Sequence, residues 1–179
     1  RILSDPGEDT DLMHRAITRV LRKFGAEKEH GAHVETDSNI PIARGMKSSS
    51  AAANAISLAT AAALRKKLSD LNVVRLGVEA AKDAGVTITG AFDDACASYF
   101  GNIIVTNNVT QKVERRFRVA REYTVLFHVP PSKVYTAHSD VEKMKRMASL
   151  VNVAYREVLL GRYWLAMTFN GLVYSMALG

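Results

Sequence analysis

Apolar positions recur along the chain at two spacings, one typical of helices and one typical of strands. Apolar residues three or four positions apart predict a first helix; they are Met13, Ile17, Val20, Leu21 and Phe24. Gly25 follows them and is placed to end that helix. Alternation of apolar and polar positions at residues 32–36 predicts a half-buried strand.

Helical patterns account for most of the remaining chain. An alanine-rich run at residues 51–68 predicts a helix that other backbones can approach closely, so we expect it to be central and buried. Ser69 is placed as the N-cap of a helix that Gly85 closes. Ser139 and Glu142 have the spacing of a capping box and predict the start of another helix. Further helices are predicted at residues 91–100, 150–160 and 162–178.

Strands and a domain boundary are predicted near the middle of the chain. Three segments have strand-like patterns: residues 102–106, 112–119 and 123–129. Helices and strands mix before Arg118, whereas one strand and a helical run follow it. We therefore predict a boundary between residues 1–118 and residues 119–179.

The composition excludes several classes of protein. Hydrophobic residues make up 47% and charged residues 23% of the 179 positions, which is typical of globular proteins and argues against a disordered chain or a coiled coil. The longest nearly apolar stretch, residues 51–64, is shorter than the roughly 20 residues that span a bilayer, so we expect no membrane partner. A single cysteine, Cys96, excludes an internal disulfide and fits a reducing, cytoplasmic compartment.

The charge permits an anionic ligand but does not identify one. A net charge of +6, from 24 basic and 18 acidic residues, is compatible with a nucleotide or nucleic acid, and an ordinary basic surface explains it at least as well. The histidines lack the spacing of a metal site; they are His14, His30, His33, His128 and His138.

A loop rich in glycine and serine, PIARGMKSSSAAA at residues 41–53, lies between the predicted strand and the alanine-rich helix. Free N–H groups and the positive end of the dipole make a helix start an anion site, usually for phosphate. Gly45 permits close approach, Arg44 and Lys47 add positive charge, and one of the serines can ligate magnesium. The Walker A and Rossmann patterns are absent. On spacing alone, a serine-capped helix after an ordinary loop explains the stretch equally well.

Two adjacent acids, Asp93 and Asp94, interrupt the small and apolar stretch TITGAFDDACASYFG at residues 87–101. Because burial of an unpaired charge is unfavourable, the pair indicates a proton-accepting base or a metal ligand. Acids that stabilise a helix N-terminus are the alternative. Adjacent helical residues point about 100° apart, so we expect only one to face a reacting group. Cys96, close to both acids, is expected to be a small buried side chain rather than a reactive thiolate.

The two stretches resemble the motifs of the GHMP kinases, a family of small-molecule kinases. The first resembles P-x-x-x-G-L-G-S-S-A, and the second, from Asp94, resembles D-x-x-x-S-x-x-G around the family's catalytic aspartate. Four segments resemble the archaeal-type shikimate kinases of that family: IPIARGMKSSSAAANA, GVTITGAFDDACAS, PPSKVYT and FNGLVYSMALG. In the first motif Met46 replaces leucine and Lys47 replaces the second glycine, and Asn102 stands where related sequences often have a further glycine.

The resemblance implies a two-domain α+β fold. Residues 1–118 would be a domain like the second domain of ribosomal protein S5, and residues 119–179 part of a ferredoxin-like domain. The first and third motifs of the family are not found in the chain. We therefore expect an internal part of a longer enzyme, incomplete at the start of the first domain and at the end of the second.

The resemblance also implies an activity, ATP-dependent transfer of a phosphoryl group to the 3-hydroxyl of shikimate, on the route to chorismate and aromatic amino acids. The cofactors would be ATP and Mg2+. The phosphates would be wrapped by consecutive residues of the loop: Arg44, Gly45, Met46, Lys47, Ser48, Ser49 and Ser50. Ser49 would be a magnesium ligand, together with Glu79 or, as the alternative, Asp83.

The resemblance assigns the acceptor side of the site to the second stretch. Asp94 would accept the substrate hydroxyl proton, and Asp93 would bind a substrate hydroxyl. Thr89 and Gly90 would line the acceptor pocket.

Other functions stay open at this point. A GHMP kinase for homoserine or mevalonate is one alternative, and a catalytically inactive relative is another. An RNA-binding module of the S5-like fold is a third, because two basic clusters exist, at residues 115–121 and 143–146. Aromatic residues are only 7% and no RNA-binding motif is present, so we expect no nucleic-acid partner. The sequence does not determine the oligomeric state.

Overall fold

The computed structural model of the protein describes residues 1–133 and 140–178. The described residues form seven helices and one pair of strands. In chain order these are α1 (Asp11–Lys23), α2 (Ser48–Ala63), α3 (Asp70–Asp83), α4 (Phe92–Phe100), β1 (Ile103–Asn107), β2 (Lys112–Phe117), α5 (Val141–Arg146), α6 (Ala148–Leu159) and α7 (Tyr163–Leu178). The α+β class expected from the sequence is confirmed.

Helices α1, α2 and α3 share one apolar core. Its buried residues are Met13, Ala16, Ile17, Leu21, Ile56 and Ala80. The Arg19 guanidinium donates two hydrogen bonds of 2.6 Å to the Asp83 carboxylate, which ties α1 to the end of α3. Helix α2 packs against α1, α3 and α4, which confirms that the alanine-rich helix is central.

Helix α4 packs against α2, α3 and β1 over a second apolar core. This core contains Val74, Val78, Phe92, Ala95 and Cys96. Phe92 is fully buried and anchors the first turn of α4. The strands are antiparallel, with Ile103 opposite Phe117, and Glu114 is an extra residue that forms a β-bulge.

A buried amide joins α2 to α4. Asn54 Nδ2 donates to the carbonyl of Ala95 and to Ser98 Oγ, both at 2.9 Å. Asn54 is only 5% exposed, so these hydrogen bonds form away from competing water. Gly77 of α3 lies against the same side chain, because a Cβ at this position would be 3.2 Å from Asn54 Oδ1. Three helices therefore meet around one polar residue.

The C-terminal helices α5, α6 and α7 pack against one another. Asp140 is the N-cap of α5, and its side chain accepts a hydrogen bond of 2.9 Å from the N–H of Lys143. Ser139, which the sequence pairs with Glu142 in a capping box, lies outside the described residues. Over the described ranges, no helix combines the length and the apolar character that crossing a membrane requires.

Two predicted strands do not form. In residues 32–36 only Thr36 makes a β-bridge, an isolated parallel one with Ile2. Residues 123–129 are irregular, and Leu126 among them is 90% exposed. A strand persists when a neighbour accepts its backbone hydrogen bonds and covers one face. Among the described residues, neither segment has a neighbouring strand that does both.

The alanine-rich helix begins and ends earlier than its composition predicts. Helix α2 starts at Ser48 rather than at residue 51, because Lys47 adopts a left-handed conformation that turns the chain into the helix. It ends at Ala63 rather than at residue 68, because Arg65, two residues further on, adopts a left-handed conformation that stops the helix. The three serines of the loop are therefore the first turn of α2.

Asn54→Ala removes both amide donors that connect α2 to α4. We expect the free energy of unfolding to fall by about 1 to 3 kcal/mol, because the Ala95 carbonyl and Ser98 Oγ each lose a buried donor. Urea denaturation measures this change. Asn152→Ala, at an exposed position of α6, is the control and should change stability by less than about 0.5 kcal/mol. Equal effects of the two substitutions would contradict the role of Asn54.

Candidate active site

The loop before α2 alternates left-handed residues with residues of negative φ. Ala43, Gly45 and Lys47 have φ values of 55°, 78° and 58°. This alternation turns successive N–H groups towards one side, as in anion-binding concavities. Gly45 adopts the conformation without steric cost, whereas Ala43 and Lys47 each store about 1 to 2 kcal/mol of strain. Strain of this kind concentrates at functional sites, so the loop is a candidate for one.

The first turn of α2 lies beside a large cavity. The N–H groups of Ser48 and Ser49 donate to no group among the described residues, because the start of a helix leaves such donors unpaired. Both serines line a cavity of about 1350 Å³, which also borders α1. Ser50 is buried within the helix packing instead. Two free donors and the positive end of the helix dipole are thus available to an anion.

The basic residues of the loop have different partners. Arg44 Nη1 donates to the carbonyl of Pro130 at 2.7 Å, which connects the loop to the later part of the chain. Met46, which follows Gly45, is half-buried. Lys47 Nζ lies 3.2 Å from Asp94 Oδ2 at the start of α4. This ion pair brings the two predicted motifs together in one site.

The environment of Asp94 is that of a candidate general base. Burial raises the pKa of its carboxyl and the adjacent Asp93 adds to the rise, while Lys47 offsets it in part. The pKa of Lys47 is also raised, because attraction to Asp94 and smaller contributions from Tyr174 and Asp93 outweigh the effect of burial. A carboxylate with 21% side-chain exposure, a raised pKa and a cation beside it is a typical proton acceptor.

Thr89 and Gly90 lie in the turn that enters α4. Gly90 is buried with φ of 90°, and a Cβ here would lie 2.6 Å from Lys82 Cε and 3.1 Å from Val78 Cγ1. Glycine is therefore required for both conformation and space. Thr89 is exposed, and its Oγ1 accepts a hydrogen bond of 3.4 Å from the N–H of Ala91.

Asp93 faces the turn between β1 and β2. Its Oδ1 accepts a hydrogen bond of 2.8 Å from Asn108 Nδ2, and its N–H donates to Asn108 Oδ1 at 3.1 Å. The two adjacent acids thus have different partners, since Asp94 pairs with Lys47.

The acids considered as magnesium ligands are paired with residues outside the serine loop. Glu79 Oε1 accepts hydrogen bonds from Lys82 Nζ at 3.1 Å and from Gln111 Nε2 at 3.2 Å. Asp83 is engaged by Arg19 of α1. In the part of the chain that the structure describes, no hydrogen bond or ion pair joins either acid to Ser49, and no group of three or more His, Cys, Asp or Glu side chains is arranged to hold a metal ion.

Sequence reasoning missed two residues that shape the site. Asn54 was visible as a polar residue within an alanine-rich helix, and that contrast was a usable signal. Asn108 lies in a turn of polar residues and no pattern singled it out. Its importance comes from a contact with Asp93, 15 positions earlier in the chain.

Comparison with known proteins identifies the family. Residues 11–102 match the model of the GHMP kinases N terminal domain. This region contains the serine loop, Asp93 and Asp94, and it covers more than half of the chain. The chain therefore belongs to the GHMP kinase family.

The similar curated proteins have names that state a particular activity, whereas the family model names only a domain. The shikimate kinase of Methanococcoides burtonii is 48% identical over 174 residues, which are 97% of this chain and 59% of that protein. The shikimate kinase of Halobacterium salinarum is 42% identical over 179 residues, 99% of this chain and 62% of that protein. The resemblance expected from the motifs is thus confirmed. The chain spans about three fifths of the length of these relatives, and no solved structure matches it.

The reactivity of the Cys96 thiol measures whether reagents in solution can reach the core beneath α4. Burial is the main effect that raises the pKa of its thiol to about 11, and the side chain is fully buried. The thiol should therefore stay protonated and unreactive at pH 8 in the folded protein. We expect alkylation by iodoacetamide to be at least about 100 times slower in buffer than in 6 M guanidinium. Similar rates in the two solutions would show that the core opens readily.

Proposed function

We propose that this chain carries the phosphoryl-transfer site of an ATP-dependent shikimate kinase. The product would be shikimate phosphorylated on its 3-hydroxyl, an intermediate of chorismate and aromatic amino acid synthesis. The observation that carries the proposal is the ion pair of Lys47 with Asp94, since it joins a phosphate-binding helix start to a proton acceptor. The names of the similar curated proteins support shikimate as the acceptor. A cytoplasmic location, where ATP and a free thiol are both normal, completes the proposal.

The triphosphate would bind at the start of α2. The free N–H groups of Ser48 and Ser49 would donate to phosphate oxygens, and the backbone from Arg44 to Lys47 would curve around them. The cavity beside the serines exceeds the 300 to 1,000 Å³ that is usual for a small-molecule site. We assign only its end next to Ser48 and Ser49 to the nucleotide.

The proposed reaction is a direct transfer between two oxygens. The acceptor hydroxyl oxygen attacks the γ-phosphorus of ATP, and the bond from that phosphorus to the β–γ bridging oxygen breaks. ADP leaves with the electron pair of the broken bond, and the hydroxyl proton passes to Asp94. Lys47 would offset the negative charge between the γ-phosphate and Asp94. Positioning and charge stabilisation supply most of the catalysis in such transfers.

The oxygen donors at the helix start fit a magnesium ion. The Ser49 hydroxyl has no partner among the described residues, and Mg2+ commonly takes one or two protein oxygens in addition to phosphates and water. Bound there, the ion would neutralise phosphate charge. We propose Ser49 as one ligand and Glu79 as the second, with Asp83 as the alternative. Glu79 would have to exchange its bonds with Lys82 and Gln111 for this role.

On the acceptor side, Thr89, Gly90 and Asp93 would line the pocket. Gly90 would hold the turn between Thr89 and Asp93, since Lys82 and Val78 fill the space where a side chain would project. Asp93 would bind one of the acceptor hydroxyls that is not phosphorylated.

Two domains are part of the proposal, with residues 1–118 as the S5-like domain and residues 119–179 as part of a ferredoxin-like domain. The family match within residues 11–102 and the mutual packing of α5, α6 and α7 support the division. The described residues after Phe117 are helical or irregular, without a strand. The ferredoxin-like architecture therefore depends on the resemblance alone.

Phosphorylation with a panel of acceptors tests the reaction. The purified protein that carries this chain is incubated with ATP and magnesium and with shikimate, homoserine or mevalonate, and product masses are read directly. We expect phosphorylated shikimate only. Phosphorylated homoserine or mevalonate would contradict the acceptor, and binding of RNA that weakens with salt, without any phosphorylation, would favour the nucleic-acid alternative.

Asp94→Asn tests the proton acceptor in the same assay. We expect kcat for shikimate to fall at least about 100-fold, because the amide cannot take the proton, while the Kd for ATP stays within about twofold. Asp70→Asn makes the same chemical change at a residue that accepts from the Tyr99 hydroxyl, and it serves as the control. An unchanged kcat in Asp94→Asn would remove this residue from the reaction.

The magnesium dependence of the rate tests the metal ligands. Ser49→Ala and Glu79→Gln should each raise the magnesium concentration at half-maximal rate several-fold, whereas Ser48→Ala should not. If Asp83→Asn rather than Glu79→Gln produces the rise, the alternative acid is the ligand. If Ser49→Ala has the same magnesium titration as the unsubstituted protein, Ser49 is not a magnesium ligand.

A further inference from the structure

Asn108 is held between Asp93 and Thr106 at the tip of the strand pair. Its amide makes reciprocal hydrogen bonds with Asp93, accepting from the N–H and donating to carboxylate Oδ1. Since the N–H can only donate and the carboxylate can only accept, these two bonds fix which end of the amide is oxygen and which is nitrogen. Thr106 Oγ1 donates to the same Asn108 Oδ1 at 2.9 Å, so this oxygen accepts two hydrogen bonds.

The turn that carries Asn108 is itself braced. Asn107 Oδ1 accepts hydrogen bonds of 3.1 Å from the N–H groups of Val109 and Thr110. Asn108 is half-buried, whereas its hydrogen bonds with Asp93 lie at the exposed surface. The amide is therefore presented by a stabilised turn rather than by a loose loop.

These bonds set the orientation of one of the two adjacent acids. Asn108 occupies Oδ1 of Asp93, while in the described part of the chain no hydrogen bond reaches Oδ2. The side chain of Asp93 is exposed, and Asp94 is engaged by Lys47. One carboxylate oxygen of Asp93 is thus anchored, while the other stays available on an exposed residue whose charge also acts on Asp94.

We propose that Asn108 is a positioning residue that aligns Asp93 to receive a hydroxyl group of a polyhydroxylated acceptor. The inference rests on the proposed function, in which Asp93 binds such a hydroxyl. Asn108 acts through Asp93 and does not touch the acceptor. It should therefore affect acceptor affinity and leave the affinity for ATP unchanged.

Two substitutions separate this role from a purely structural one. Asn108→Ala removes both the amide oxygen that accepts a hydrogen bond from the Asp93 N–H and the amide nitrogen that donates to the Asp93 carboxylate. Asn108→Asp has nearly the same shape and keeps an oxygen for the N–H of Asp93 and for Thr106, but it replaces the donor with a like charge. A residue that merely caps the start of α4 would tolerate Asn108→Asp, whereas a residue that aligns the carboxylate would not.

The test compares steady-state kinetics and thermal stability of both variants in the protein that carries this chain. We expect the KM for shikimate to rise about tenfold in Asn108→Ala, as for the loss of one hydrogen bond to a charged group, and at least as much in Asn108→Asp. The KM for ATP should stay within twofold in both. A KM for shikimate that Asn108→Asp leaves unchanged, or equal rises for shikimate and ATP, would overturn the proposal, whatever happens to Tm.

The unsubstituted protein distinguishes failure of this inference from failure of the proposed function. If it phosphorylates mevalonate instead of shikimate, the shikimate assignment is wrong, and the KM for mevalonate, which has a second hydroxyl, decides the role of Asn108. Phosphorylation of homoserine, whose only hydroxyl is the one phosphorylated, would overturn both proposals. If it phosphorylates none of the acceptors, and calorimetry shows that it binds none of them, both proposals are overturned.

Discussion

The Asn54 amide determines where the start of α2 lies relative to the start of α4. Both of its N–H donors are used on α4, at the Ala95 carbonyl and Ser98 Oγ, so neither helix can slide without the loss of one buried and one partly buried hydrogen bond. Gly77 of α3 leaves just enough room for this side chain. Lys47 precedes one helix and Asp94 lies in the first turn of the other, so their ion pair follows from the way the helices are held.

Different elements of the fold hold the charged and polar groups of the site in place. The serine loop offers unpaired N–H groups in a strained backbone, and packing of α2 between α1, α3 and α4 holds that strain in place. Helix α4 presents two adjacent acids, one paired with Lys47 and the other anchored by Asn108. Because separate elements fix each carboxylate, we propose different tasks for the two acids, proton acceptance for Asp94 and substrate binding for Asp93.

Local patterns predicted what depends on local structure. Periodicity located α1 and α3, and the motif spacing indicated the loop and Asp94 as candidate site residues. The strands predicted at residues 32–36 and 123–129 failed because pairing depends on neighbours that no local pattern specifies. The early start of α2 follows from left-handed Lys47, a conformation that is unfavourable for lysine and is maintained by tertiary packing. Asn108 was invisible because its role arises only when the strand pair folds back onto α4.

The central claim is that the start of α2 and Asp94 form one phosphoryl-transfer site. A crystal structure with shikimate and a non-hydrolysable ATP analogue tests it most directly. The account predicts phosphate oxygens within hydrogen-bond distance of the Ser48 and Ser49 N–H groups, with the acceptor 3-hydroxyl about 2.6 to 3.2 Å from the Asp94 carboxylate. A triphosphate bound away from these N–H groups, or an acceptor hydroxyl that faces another residue while Asp94 stays remote, would contradict it.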